Sequence, residues 1–435
     1  MRLLYTIGIW FFTLGVRIAA LFGHEKARQM VHGWKSLPHP LTNMNRRECA
    51  WFHASSLGEF EQARPVLEKY KRSHPDSNIV VTFFSPSGYE VRKNYAQADA
   101  VLYLPPDLPT CVNRFLKTYR PTVAFFVKYD FWFNYLNALN KANIPTYIFS
   151  AIFRPKQYFF KPWGRWFMQQ IRECYTHIFV QNEESLQLLR SHGVEHCSMA
   201  GDTRFDRVYQ IASAAEHDDI TERWLGQTNT PLPPSRGDEE GNIPSEQCKV
   251  LVCGSTWPPD EELIAKLKSE NRKLKVILAP HVISEEHLKQ IERLFPDSIR
   301  YSSLTSYTRD TRETSLTINT STLIIDNIGI LSKLYRYADV AYFGGGFGAG
   351  IHNILEAVTF GKPVLFGPNY HKFKEAHDII ARGGGFSHSD ANGLQHNLEP
   401  LLTDDKAYRR ASEACLEYMH ENLGSTDKIL STIVK

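Results

Sequence analysis

Short runs rich in β-branched and aromatic residues alternate with longer runs of helical spacing along this chain, and the alternation happens twice. In the first series the candidate strands are 50–53, 79–84, 101–104, 123–127, 146–150 and 177–181. Between them, segments such as 59–73 and 131–142 place apolar residues three and four apart, the period of a helix buried on one side. Residues 226–247, "GQTNTPLPPSRGDEEGNIPSEQ", interrupt the pattern with proline, glycine and charge and read as an exposed linker. The series then resumes at 249–253, 275–280, 323–326, 340–343 and 364–366. Strand and helix in alternation predict parallel sheets with helices on both faces. At 435 residues one hydrophobic core is not enough. The expected organisation is an apolar N-terminal segment (1–35), a first α/β domain (36–225), the linker (226–247) and a second α/β domain (248–403). A helical stretch (404–435) follows, which either closes the second domain or crosses back to the first.

Composition narrows the function by exclusion. A net charge of +3 gives no basic stripe for nucleic acid, though it suits an anionic ligand or a lipid surface. The seven cysteines are odd in number and never spaced C-x-x-C, so neither a disulfide framework nor a zinc knuckle is expected. No H-E-x-x-H or other metal-ligand spacing is present, and the expectation is a chemistry without metal or cofactor. Residues 3–22 form an apolar run broken by Thr6, Gly8, Thr13, Gly15 and Arg17. About 20 such residues span a bilayer. A membrane anchor or interfacial helix, a buried core helix and a cleaved signal are the three readings. The flanking Lys26, Arg28 and Lys35 favour a cytoplasmic side. The segment 154–168, "RPKQYFFKPWGRWFM", interleaves cations with aromatics, as lipid headgroup regions favour; an ordinary helix face gives the same pattern.

The stretch 342–357, "YFGGGFGAGIHNILEA", asks what its glycines hold. Gly344-x-Gly346-x-x-Ala349 loosely satisfies a dinucleotide fingerprint, but it lies late in the second domain and 363–374 contains no acid for a ribose. A P-loop fails because no G-K-[ST] follows. What remains is a strand, a glycine loop and a helix expected to start at Asn353 and stop at Gly361, whose N-terminus suits one phosphate. The glycines are read as space cleared for a ligand, with an ordinary tight turn as the alternative. In the first domain, "WFHASSLGEFEQARP" (51–65) runs a strand into a loop and puts Glu59 in the first turn of a helix, at the edge of the sheet where open α/β folds bind ligands. Glu59 is there a catalytic candidate or a first-turn acid complementing the helix dipole, a role Glu61 could fill equally.

Taken in order, "HASSLGEFEQARP", "TFFSPSGYE" (82–90), "GDTRFD" (201–206), "APH" (279–281), "DNIGIL" (326–331) and "GGGFGAGIHNILEA" resemble the Kdo transferases, the 3-deoxy-D-manno-octulosonic acid transferases of lipopolysaccharide synthesis. The resemblance implies the GT-B glycosyltransferase fold, two facing Rossmann-like domains with an apolar membrane-associated helix at the N-terminus. It implies CMP-Kdo as donor, a lipid A precursor as acceptor and inversion at the anomeric centre. The inner membrane, with the catalytic domains on its cytoplasmic face, is the implied location. By matching positions, Glu59 is the general base, and Lys128 and Arg204 stabilise the transition state. Pro280, His281, Ile328, Gly329, Ile330, Asn353, Ile354, Leu355 and Glu356 hold CMP. The chain departs from the family pattern in three places. It has Lys128-Tyr129-Asp130 for Glu-x-Glu, Pro280-His281-Val282 for Pro-Arg-His and Gly201-Asp202-Thr203-Arg204 for Gly-Asn-x-Lys. The rival readings are another GT-B enzyme, a glycosyltransferase or epimerase using a UDP-sugar, and a non-catalytic membrane-bound scaffold.

Overall fold

A computed structural model describes residues 1–35, 48–214, 216–226, 248–310 and 320–433, with backbone alone for 306–310. The chain forms two compact units, Met1–Arg207 with Asn422–Lys435, and Val208–Glu421. Their boundary falls inside the helix Thr203–Ala214, upstream of the 226–247 stretch expected to be the linker. Residues 227–247 lie outside the described residues.

Each unit is built on a parallel seven-stranded sheet. The first holds β1 (Cys49–Ala54), β2 (Asn78–Phe83), β3 (Ala100–Tyr103), β4 (Val123–Val127), β5 (Thr146–Ala151), β6 (His177–Val180) and β7 (Cys197–Met199), in the order β3-β2-β1-β4-β5-β6-β7. The second holds β8 (Val250–Thr256), β9 (Lys275–Pro280), β10 (Ser298–Arg300), β11 (Thr322–Ile324), β12 (Val340–Phe343), β13 (Val364–Phe366) and β14 (Gly385–Ser387), in the order β10-β11-β9-β8-β12-β13-β14. Alternate residues of β1 feed two cores. Trp51 packs with Phe126 and Phe115 on one face, while Phe52 stacks on Phe125 at 4.4 Å on the other. Both faces of the sheet are apolar because helices cover both, as parallel sheets require.

In each sheet the strand order reverses once, between β1 and β4 and between β8 and β12. There the crossovers on either side run in opposite directions, leaving a crevice at the C-terminal ends of the strands, the usual binding place in open α/β sheets.

At the N-terminus α1 (Arg2–Leu21) is 20 residues long and apolar enough to cross a membrane. It is docked on the first unit by one stripe. Arg2 donates to Asn134 Oδ1, the Tyr5 hydroxyl donates to Asp107 at 2.7 Å, and Phe12 stacks on Phe84. Thr13 is buried and back-bonds to the Ile9 carbonyl. The rest of the helix surface, Leu3, Leu4, Ile7, Trp10, Phe11, Leu14, Ile18 and Leu21, is exposed. After α2 (Glu25–Lys35), whose Trp34 donates to the Leu104 carbonyl, residues 36–47 lie outside the described residues. The C-terminal helix Ser425–Ile433 belongs to the first unit, so the chain's end crosses back. Asp206 accepts from Gly424 N–H, Thr426 N–H and the Thr426 hydroxyl, and Ile429 and Leu430 complete the core around Phe52.

Candidate active site

The first crevice is lined by the loop after β1 and the loop after β4. Ser56 caps α3 (Leu57–Ser73): its hydroxyl accepts from Glu59 N–H, and the Glu59 carboxylate accepts from Ser56 N–H at 2.9 Å. This reciprocal capping box fixes where the Glu59 carboxyl stands. From the other lip, Asp130 accepts from Ser55 N–H at 3.2 Å and from the Ser55 hydroxyl at 2.5 Å, joining the two loops. Between them Lys128 has a left-handed backbone, φ +57°. A non-glycine residue there costs on the order of 1 kcal/mol and marks a position held by its surroundings.

Charge in this crevice is unevenly screened. Burial raises the Glu59 pKa, and the Lys128 charge with the hydrogen bonds from Ser56 lowers it again, leaving it above the usual carboxylate value. Burial and then the Glu59 charge push Asp130 well above its own. The two carboxyls titrate as a pair, and the pair holds on to a proton. His53 does not relieve it. Buried completely, it is held down to a pKa of about 3 and is neutral. Trp132 donates to its Nε2 at 2.8 Å, so the ring proton is on Nδ1, facing Thr82. The Asp130 carboxylate, 3.6 Å from Nε2, therefore meets no cation there. Glu61 is different: burial raises its pKa too, but the guanidiniums of Arg64, Arg207 and Arg92 outweigh burial and hold it below the usual range.

Arg204 is clamped on Asp202, its Nε and Nη2 each 2.8 Å from Oδ2, and Gln62 donates to the other oxygen at 2.7 Å. Burial raises Asp202, and Arg204 reverses the effect. The Lys128 charge acts on Glu59, Asp130 and Asp202 alike. Glu59, Lys128 and Arg204 thus form one electrostatic cluster. The sequence reading did not single out its partners Asp130 and Asp202, although both lie inside the quoted motifs.

The second crevice differs from its expectation. At Gly344 and Gly346 the need for glycine comes from backbone packed on backbone. A Cβ on Gly344 would stand 2.4 Å from the Ser255 carbonyl oxygen, and one on Gly346 would stand 2.6 Å from Gly367 Cα. Gly345, at φ +87°, gives its N–H to the Asp260 carboxylate at 3.0 Å. Asp260, 1% exposed, also accepts from Trp257 N–H and the Tyr342 hydroxyl. A carboxylate from the protein itself thus occupies the Gly345 N–H of the loop.

The helix expected from Asn353 is one turn, Leu355–Val358, capped by Ile354 without a side-chain bond. Asn353 Oδ1 is buried with no hydrogen-bond partner. Ile354 and Leu355 are fully buried. Pro280 and His281 lie at the end of β9, where His281 N–H bonds the Thr256 carbonyl beside an irregularity in the β8–β9 register. Ile328 to Ile330 follow β11, with Ile328 91% exposed and Gly329 at φ +100°. The structure also sets Trp257 and His352 in this crevice, stacked on His281, which the sequence reading did not assign. Among the described residues no group of His, Cys, Asp and Glu could hold a metal ion.

Known proteins resemble this chain in sequence and in fold. Residues 28–207 match the family model of the 3-deoxy-D-manno-octulosonic-acid transferases. The transferase of that name from Rickettsia bellii is 24% identical, covering all of this chain and 99% of its own. The one from Chlamydia muridarum is 26% identical over 88% of this chain and 85% of its own. Among solved structures, a UDP-GlcNAc 2-epimerase from Neisseria meningitidis bound to UDP-GlcNAc superposes with a TM-score of 0.60 at 15% identity, over 89% of this chain and 99% of its own. The fold is GT-B-like.

Proposed function

We propose that this relative of the Kdo transferases, a glycosyltransferase like them, moves Kdo from CMP-Kdo to a hydroxyl of a lipid A precursor with inversion. The observation that carries the reading is Glu59, a half-shielded carboxyl fixed by its capping box at the β1–β4 crevice and flanked by Lys128. In the reaction, Glu59 takes the acceptor hydroxyl's proton as that oxygen bonds to the anomeric carbon. The bond from the same carbon to the CMP phosphate breaks, and its electron pair leaves with CMP. General base catalysis of this kind contributes roughly 10²–10⁴-fold. Lys128 and Arg204 oppose the developing negative charge. Pro280–His281, the 328–330 loop and 353–356 hold the CMP.

A lipid acceptor gives the exposed face of α1 its purpose. A helix docked along one side and apolar on the other suits a membrane surface, and we read it as lying on the inner membrane from the cytoplasmic side. Glu59→Gln is a clean test, because glutamine keeps the capping box and loses the base. Incubated with CMP-Kdo and a lipid A precursor, and followed by product mass, the variant is expected to lose at least about 10²-fold in rate while its CMP affinity stays unchanged. Full activity would remove Glu59 from the chemistry. A thermal shift by CMP and none by UDP or UDP-GlcNAc separates this reading from a UDP-sugar enzyme.

A further inference from the structure

Trp257, His281 and His352 come from three segments: the end of β8, the end of β9 and the loop after β12. They form a column of rings, with Trp257 and His281 4.7 Å apart at 25° and His281 and His352 4.8 Å apart at 29°. His281 and Trp257 are exposed and His352 is half-buried, so the column opens to solvent at the crevice. We propose that the His281–His352 pair, backed by Trp257, is an anion site charged by proton uptake, which takes the phosphate of the nucleotide donor. This rests on the donor reading above.

Two imidazoles stacked at this distance repel each other when both are charged, so charging one disfavours charging the other. Burial and the charge of His281 both hold His352 below its ordinary value, while Asp260 opposes them. The Trp257 ring face stabilises a cation on His281. Around the pair, Asp260 faces His352 from the helix Pro258–Glu270. Glu261 on that helix is turned to Thr256 and His287 instead. The glycine loop approaches His352 with backbone, Gly345 being its near neighbour.

A phosphate arriving beside His281 supplies the missing opposite charge. It binds the protonated pair more tightly than the neutral one, and it raises the pair's pKa in the complex. Affinity is then greatest below the pKa of the free pair. It falls as pH rises through the window up to the pKa of the loaded pair, by at most about tenfold per pH unit for one proton. An arginine in place of His281 would stay charged throughout and remove the window.

The test is calorimetric titration of the full-length protein with CMP from pH 6.5 to 8.5, in two buffers of different ionisation enthalpy. Wild type, His281→Arg and His352→Gln are compared. CMP's own phosphate ionises near pH 6, so the slope is read as the difference from His281→Arg. The expected result is a wild-type Kd rising roughly three- to tenfold across the range with net proton uptake, and a flat profile without uptake in His281→Arg. CMP bound by wild type without proton uptake, or a slope that persists in both variants, overturns this inference and spares the donor site. No CMP binding at any pH overturns both.

Discussion

Glu59 and Glu61 stand two residues apart on α3, and their surroundings drive them in opposite directions. Glu61, ringed by three guanidiniums, is a structural anion. Glu59 has its pKa raised by burial, which its one lysine and the hydrogen bonds from Ser56 only partly offset. The sequence offers both acids at the start of one helix. What separates them is the company each keeps from distant segments: Arg92 and Arg207 for one, Lys128 and Asp130 for the other. As the proposed base Glu59 must be deprotonated to work, so kcat/KM is expected to fall as pH falls through its pKa. Lys128 lowers that pKa, and replacing Lys128 with methionine should move the acid limb of the profile to higher pH. Lys128→Arg should restore it, since the charge is what acts. An unmoved acid limb in Lys128→Met would show that this lysine does not serve the base. The raised pKa also carries a stability sign. The folded state holds its proton more tightly than the unfolded chain, so stability falls as pH rises from the ordinary carboxylate value through the raised one. Glu59→Gln removes that penalty, and its Tm at pH 7 should be no lower than wild type.

At the scale of elements, every strand with a run of four or more apolar or β-branched residues was readable from sequence. The strands that escaped, Cys197–Met199, Ser298–Arg300 and Gly385–Ser387, are three residues long and lie at sheet edges. Three residues hold too little of a two-residue period to stand out, and an edge strand has less surface to bury. The glycine loop was legible as a loop, but the need for glycine at 344 and 346 was not, because the atoms that demand it belong to Ser255, 89 residues before Gly344, and to Gly367, 21 residues after Gly346, far outside any local window. Glycines within the run therefore differ in what they tolerate. In Gly346→Ala the new methyl would overlap the Gly367 backbone, which cannot rotate away, and overpacking of this kind costs about 1–3 kcal/mol. Gly348→Ala meets nothing nearer than 3.9 Å and should leave stability within about 0.5 kcal/mol of wild type. Urea unfolding of the two variants measures the contrast. Equal stability, with CMP binding lost in both, would return the glycines to ligand clearance.

On the scale of the whole molecule, one large apolar surface is left uncovered by the described residues. Tyr5 of α1 meets Trp166 and Phe167, and Phe167 meets Tyr158, which stacks with the exposed Trp163. Arg154, Lys156, Lys161 and Arg165 stand exposed around those rings. The apolar face of α1 thus runs on into an aromatic and basic rim, the combination that suits an anionic lipid surface. Deleting α1 is a poor test, since its inner stripe covers Phe84 and Phe133 and removal would expose the core. Substituting the outer face is better. Leu4, Phe11 and Ile18 are exposed and make no ring contact with the domain, and glutamine is a good helix former at all three. Each large apolar side chain withdrawn from lipid forfeits about 1.5–3 kcal/mol. The triple variant Leu4→Gln, Phe11→Gln, Ile18→Gln should keep its urea midpoint and CMP binding, yet lose vesicle co-sedimentation by on the order of 10²-fold or more. Lys156→Gln with Lys161→Gln should weaken binding to anionic vesicles alone, and less so at high salt, because screened charges contribute little. Undiminished co-sedimentation of the triple variant would mean that α1 does not face lipid, and the proposed lipid acceptor would then have to reach Glu59 by another surface.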